Sequence, residues 1–551
     1  MQILKHAALA LGIALLLATQ ARSAPTLVEN VHGYTLAGDR LRHFTALVFN
    51  LGKVVEIGDA ALLRKNFADA KVIDGGGKTL LPGLIDAHGH VLALGFESTQ
   101  LDLTDTESLA AAQEKIRAYL KLNPEKSWHL GGGWNQVKWK IGRFPLATEL
   151  DAVVADRPVV LGRIDGHSVW LNSKALQAAG ISRTTLDPAG GRIERDTEGN
   201  PNGVLVDKAM KLVDRVVPQP GDLERRAALI AALAHFSWVG LTSVADAGVD
   251  AKDIALYKDF SDQGLLTTRI YAMIGDTGAD FLALSKAGPL IGYGNDHLTV
   301  RSVKLFADGA LGSRGAALLA PYADAPTQSG LLFMSDVEMV RKIAAALSAG
   351  YQVNVHAIGD AANRQVLDAF ETAYRSVGGR QLRNRIEHAQ VVALSDIPRY
   401  RQLDLIASMQ PTHATSDMNM AEDRIGKQRI RGAYAWRTFL KQGTRIAAGS
   451  DFPIESDNPF FGLHAAVTRT DRANQPQGGW HPEQAMTLLE AFRAFTLDAA
   501  YAEHQDKTLG TLEKGKWADF ILIDRDLFTI APADIWKIKV EQTWVAGKRV
   551  Y

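Results

Sequence analysis

The sequence predicts an α/β chain with a TIM-type (β/α)8 barrel, a small β-sandwich domain built from both chain termini, and an inserted subdomain after the first barrel strand. Three observations carry this. Eight apolar, β-rich runs alternate with helical patterns between residues 80 and 448. Both ends of the chain share a texture of short strands and tight turns. Residues 99–220 break the alternation after the first run, far longer than the few residues a βα loop needs.

Taken in order, Lys5 and His6 precede an apolar run over residues 7–18, and Ala21-Arg22-Ser23 places small residues where a signal peptidase cuts. A cleaved export signal over residues 1–23 is expected, giving a periplasmic or secreted protein. The run falls short of the roughly 20 apolar residues that span a bilayer, so an uncleaved anchor is disfavoured. No later run suggests a membrane span.

Residues 24–80 form the N-terminal part of the β-sandwich domain, where runs at 45–49 and 54–57 flank a hairpin connection at Asn50-Leu51-Gly52. Residues 505–551 supply its C-terminal part, with runs at 518–523 and 542–545 and a final turn. The barrel occupies 81–504. Its strand candidates are 80–86, 242–246, 268–274, 299–306, 352–356, 385–388, 406–409 and 445–448. Helices over 336–348, before Gly350, and 360–374, before Gly378-Gly379, are marked by apolar periodicity and terminal glycines. The insert carries Trp128, Trp134, Trp139 and Trp170 together with Gly131-Gly132-Gly133. These indoles either line a substrate pocket or form the insert's own core.

Composition narrows the function. Lys+Arg and Asp+Glu both number 61, so no charge excess marks a nucleic-acid binder. Cysteine is absent, which removes disulfides, thiolate metal sites and cysteine nucleophiles together. A metal must therefore be held by histidine, carboxylate or a modified side chain. No Gly-x-Ser-x-Gly elbow, P-loop or dinucleotide fingerprint is present.

The chemistry-bearing residues fall at strand ends, where barrel active sites are assembled. In His88-Gly89-His90 two imidazoles lie two residues apart in an extended backbone and can reach one ion. Lys304, His356, His388 and Asp451 each stand at the end of a later run. One histidine alone reads as a packed or surface residue; candidates at the ends of five separate runs read as a site.

Six ordered blocks carry a resemblance. They are Leu81-Pro-Gly-Leu-Ile-Asp-Ala-His-Gly-His90, Val303-Lys-Leu-Phe-Ala-Asp-Gly-Ala-Leu-Gly-Ser-Arg314, Val355-His-Ala-Ile-Gly-Asp360, Arg385-Ile-Glu-His-Ala-Gln390, Gln410-Pro-Thr-His413 and Gly449-Ser-Asp451. Through them the chain resembles the amidohydrolase superfamily, in its YtcJ-like branch (amidohydrolase family 3), over nearly its whole mature length.

The resemblance implies that His88 and His90 bind the more buried metal, that His356 and His388 bind the more exposed one, and that Asp451 contacts metal and nucleophilic water. Lys304 takes the position at which many members carry a carboxylated lysine between two ions. A protonated ammonium has no lone pair, so a ligand role requires that modification. The alternative is an ordinary lysine paired with Asp308 or Glu387, and one or two ions remain open. The cofactor implied is a divalent metal, zinc or similar, activating hydroxide for attack on a carbonyl.

Arg314 is a candidate for binding a substrate carboxylate, or else a structural clamp. His413 is a candidate oxyanion donor, or else a loop histidine bonded to backbone. Asp165 and His167 resemble a recurrent element of the branch with no role assigned. Asp360 reads as a helix N-cap.

The expected function is an exported metal-dependent amidohydrolase that hydrolyses a non-peptide carbon–nitrogen (amide) bond of a small molecule. An esterase or lactonase of the same fold, or a non-catalytic ligand-binding barrel, are the alternatives. The expected partners are a small-molecule amide substrate, with no nucleic acid and no membrane span; a homo-oligomer is allowed but not required.

Overall fold

The two ends of the chain meet in one seven-stranded sheet. Its order is Lys548–Arg549, Val540–Val545, Phe520–Ile523, Lys71–Pro82, Thr26–Ala37, Arg40–Asn50 and Lys53–Gly58. The join is antiparallel, with Phe520 opposite Pro82 and Ile523 opposite Thr79. One face buries Val28, Leu47, Phe49, Leu80, Phe520 and Leu522, contributed by both termini. The expected hairpin at residues 50–52 is present. Leu51 and Gly52 both have positive φ, +49° and +77°, as the twist-matched two-residue turn demands.

This computed structural model describes residues 24–551 apart from 137, 165–167 and 189–190. The expected leader over 1–23 and the Asp165/His167 element lie outside the described residues. Two units form, the chain up to Gly89 with Phe236–Tyr551, and His90–His235. No helix among the described residues is long and apolar enough to cross a membrane.

The first unit also holds the barrel. Its eight parallel strands are, in chain order, Leu84–Gly89, Leu241–Val249, Arg269–Gly275, Leu298–Phe306, Gln352–Ala357, Arg385–His388, Ile406–Met409 and Ile446–Ala448. Each pairs with the next, as with Phe306 opposite His356 and His356 opposite Glu387. One expected boundary moves. The run at 80–86 is two elements, because Leu80 to Pro82 belong to the terminal sheet and Gly83 hands the chain to the barrel. Both pieces are buried throughout, so no periodicity marks the handover.

The helices follow their local signals. Asp336–Ser348 starts at Ser335, whose side chain accepts from Glu338 N. It buries Met339, Ile343, Ala346 and Leu347, one face at helical spacing. The helix predicted at 360–374 runs Asp360–Val377, and Gly359, not Asp360, is its N-cap. Asp360 is its first helical residue, and its Oδ1 accepts from Leu319 N at 2.8 Å, in the loop after the fourth strand.

Two buried polar ties join the barrel to its surroundings within this unit. The fully buried Arg269, at the start of the third strand, donates from Nε and Nη2 to Asp519 at 2.6 and 3.0 Å. Removing one partner of such a pair costs about 3–5 kcal/mol, because the other charge is left in low dielectric. Ser243 donates to the fully buried Glu503 at 3.0 Å.

In the second unit, a six-stranded sheet runs in the order Gly191–Arg195, Pro201–Asp207, Ser168–Leu171, Val159–Arg163, His129–Trp134 and Leu101–Asp102. Trp134, Trp139 and Trp170 pack into that unit's own core with Leu101, Ile116 and Leu161. Their indole N–H groups donate to Leu161 O, Thr106 Oγ1 and Leu146 O, so each polar edge is satisfied inside the unit. Of the two readings of the indoles, the core reading describes these three.

Candidate metal centre

Strand alternation decides what meets inside the barrel, since every second residue points inward. His88 is the last but one residue of the first strand and is fully buried. Its Nδ1 faces Glu387, which can only accept when ionised, so the proton sits on Nδ1 and the lone pair on Nε2. Nε2 lies 2.9 Å from Lys304 Nζ and 3.4 Å from Asp451 Oδ1.

Glu387 is in turn gripped by Arg385. Nε donates to Oε1 at 2.7 Å and Nη2 to Oε2 at 2.9 Å, with all these groups fully buried. Burial alone drives the Glu387 pKa upward, but the Arg385 guanidinium and His88 outweigh it and hold the carboxyl well below its usual range. Arg385 and Glu387 were not among the expected site residues. Their i, i+2 spacing, ending one residue before His388, was the sequence signal for them.

The other imidazoles gather around this pair. Ring centroids are 4.9 Å apart for His88 and His388, 4.6 Å for His356 and His388, and 5.7 Å for His388 and His413. His388 Nδ1 lies 2.8 Å from Gln410 Oε1, a carbonyl that fixes the tautomer and leaves Nε2 available. His413 is not in a loop; it stands on a short helix, Pro411–Asp417, opened by Pro411. One ligand atom each from His388, His413 and Asp451 lies within 4.8 Å of the others. His90, half-buried, directly precedes the helix Val91–Thr99 and is the first residue of the second unit.

Electrostatics keep the rings of His88, His356 and His388 neutral. Burial, aided by the Lys304 charge, brings His88 down to about 4 and His356 to about 3; burial and then His356 hold His388 well below 6.5. Burial also lowers Lys304 to about 8, against the pull of Glu387 and Asp451. The paired-lysine alternative finds no such contact: Asp308 accepts instead from Ala317 N, Ile358 N and Gly359 N.

Arg314 follows the fourth strand with φ +59° and sends its fork to Asp324, at 3.2 and 2.8 Å. Asp86, two residues before His88, is a further inward carboxylate that the sequence reading passed over. It accepts from His88 N at 3.0 Å and Ser450 Oγ at 2.7 Å, and burial raises it to about 7.

The donor set fits a divalent cation. His88 Nε2 and Asp451 Oδ1 are two lone-pair atoms facing each other, and His356 Nε2 and His413 Nε2 are buried with no hydrogen-bond partner among the described residues. Neutral imidazole and carboxylate are the ligands zinc takes, and cysteine is not needed.

Comparison with known proteins identifies the family. A model of the amidohydrolase family matches residues 71–551. YtcJ of Bacillus subtilis (strain 168), named as an amidohydrolase, is 34% identical over 491 residues, covering 86% of this chain and 89% of that protein. The N-substituted formamide deformylase of Arthrobacter pascens is 29% identical over 519 residues, covering 91% of this chain and 94% of that protein. The crystal structure of an uncharacterized metal-dependent hydrolase from Pyrococcus furiosus aligns with a TM-score of 0.77 at 29% identity, over 92% of this chain and all of that one. With the family model spanning the chain from the terminal sheet through the barrel, the chain belongs to the metal-dependent amidohydrolase family.

Proposed function

We propose that this hydrolase cleaves a carbon–nitrogen bond in a non-peptide amide of a small molecule, at a centre held by His88, His356, His388 and Asp451. The observation that carries the reading is the convergence of imidazoles and Asp451 at the ends of the strands, with the buried Nε2 atoms of His356 and His413 lacking hydrogen-bond partners among the described residues. Amide rather than ester is supported by the similarity to a protein named as an N-substituted formamide deformylase.

The residues of this centre would hold a divalent ion, zinc in our reading, and the chemistry it would supply is polarisation of the substrate carbonyl and a water made more acidic, its pKa moved from about 15.7 towards about 7. The protein's own groups do the rest. Asp451 Oδ1 and Oδ2 stand 3.4 Å from His88 Nε2 and 3.7 Å from His413 Nε2. From there the carboxylate takes a proton from the attacking water and returns it to the leaving nitrogen. His413 donates from its ring to the carbonyl oxygen as charge builds on it. Lys304, with its lowered pKa, holds a larger neutral fraction than an ordinary lysine, and the neutral amine is the form that adds carbon dioxide to become a carboxylate-like ligand. Arg314 is kept as a candidate for a substrate carboxylate if its link to Asp324 opens.

Residues 1–23 are proposed as a cleaved leader, with the working enzyme outside the cytoplasm. N-terminal sequencing of protein secreted by its host checks this: a mature chain beginning at Ala24 is expected, and an intact Met1 end contradicts it.

The test of the reaction is a screen of N-formyl, N-acyl and cyclic amides beside matched esters and lactones, on metal-loaded protein with products identified by mass. Amide turnover exceeding that of the matched esters is expected. Turnover of esters alone, or of nothing, overturns the assignment.

A further inference from the structure

Seven of the barrel's eight seams are backbone ladders, running from the first strand through the second to the eighth. The eighth seam, between Ile446–Ala448 and Leu84–Gly89, carries no ladder among the described residues but an isolated bridge, Gly89 opposite Phe452. His88 and Asp451 stand on its two sides.

A side chain does there what a ladder does elsewhere. The fully buried Asp86 carboxylate accepts from His88 N at 3.0 Å on its own strand, and from Ser450 N at 3.0 Å and Ser450 Oγ at 2.7 Å across the seam. Asp451 N donates back to His88 O at 2.7 Å. Gly449 makes this approach feasible: a Cβ there would lie 2.5 Å from Asp86 Oδ1 and 2.6 Å from His88 N. Both Asp86 oxygens are engaged by these donors. The carboxylate is a clamp.

We propose that Asp86 is a positioning residue that closes the last seam of the barrel and fixes the spacing of His88 and Asp451, and so sets the affinity of the centre for its ion. This rests on the metal-centre reading above. Ligands held within about 0.5 Å of the productive arrangement bind far better than ligands that must be gathered, and outer partners of ligands typically contribute about 10- to 100-fold in affinity. Asparagine keeps the size and one acceptor oxygen, which can serve His88 N and Ser450 N together, while its amide donates to Ser450 Oγ. Alanine removes the clamp.

The experiment measures zinc affinity by chelator competition, and the absorption spectrum of the cobalt-loaded form, for the mature chain and for Asp86→Ala, Asp86→Asn and Ser450→Ala. Asp86→Ala is expected to weaken zinc binding about 10- to 100-fold and displace the cobalt bands. Asp86→Asn is expected to recover most of both. Parent-like affinity and spectrum in Asp86→Ala, or equal loss in Asp86→Asn and Asp86→Ala, overturns the proposal. If Asp86→Ala does not fold, Ser450→Ala decides: it cuts one bond of the same clamp, weaker binding with shifted bands is expected, and unchanged values overturn it. A parent protein that binds neither ion fails the metal-centre reading itself, a result visible without any variant.

Discussion

Glu387→Gln removes a single charge from the most buried part of the centre. The carboxylate takes two bonds from Arg385 and one from His88, and none of the three groups is exposed to solvent. Glutamine has one acceptor oxygen. Placed where Oε2 now sits, that oxygen can still meet Arg385 Nη2 and His88 Nδ1, but its NH2 then confronts Arg385 Nε–H, donor against donor. The guanidinium is left in the barrel interior without its counter-charge. Breaking a buried pair from one side costs about 3–5 kcal/mol, and loosening the partner that orients a ligand histidine costs about 10- to 100-fold in metal affinity.

The loss carries a pH signature. Glu387 is held well below its ordinary range in the folded chain, so its contribution is complete above the unfolded carboxylate pKa, near 4.5, and is lost as pH falls through the folded value. Denaturant unfolding of metal-free parent and variant at pH 7, and again at progressively lower pH, measures the gap. A gap of about 3–5 kcal/mol at pH 7 that narrows below about pH 4.5 is expected. A gap under about 1 kcal/mol, with zinc bound as tightly as in the parent, would refute the reasoning.

Other predictions are independent of that one. Asp451→Asn should keep the fold and much of the metal yet lose about 10² to 10⁴ in kcat, since an amide reaches a metal but cannot carry a proton; near-normal turnover removes Asp451 from acid–base duty. Lys304→Ala should lose most activity and any second ion, with partial return when short carboxylates and metal are added; an unmodified lysine in a density map of metal-loaded, active protein contradicts the bridging role. Glu503 is raised to about 8 by burial, so the folded chain keeps a proton that the unfolded chain releases, and the parent loses stability as pH rises from about 4.5 towards 8. Glu503→Gln should therefore gain in melting temperature relative to the parent across that window, each unit of separation being worth up to about 1.4 kcal/mol, and a difference that does not change with pH contradicts the assignment.

Much of the barrel was legible because its strands are short, apolar and well separated by helix signals. Gln352–Ala357, Arg385–His388 and Ile406–Met409 fall within a residue of the runs that marked them. The first strand was harder: buried pairing continues on both sides of Gly83, and alternation has nothing to register there. In the site, the candidate ligands stood out at the strand ends, whereas Asp86, Arg385 and Glu387 lay inside the same blocks with nothing in their spacing to show what they touch. Their importance comes from facing a shared interior, and only strand register shows that Arg385 and Glu387 reach His88 from five strands away. Arg314 shows the opposite limit. An arginine after a strand is easy to find, but its partner Asp324 is set by a loop fold that no spacing encodes.

The measurement closest to the centre's chemistry is metal content and hydrolytic activity on one preparation, followed through chelation and reloading. One or two divalent ions per chain are expected, with activity lost to the chelator and regained with the ion. Full activity in rigorously metal-free protein would contradict a metal centre at His88, His356, His388 and Asp451.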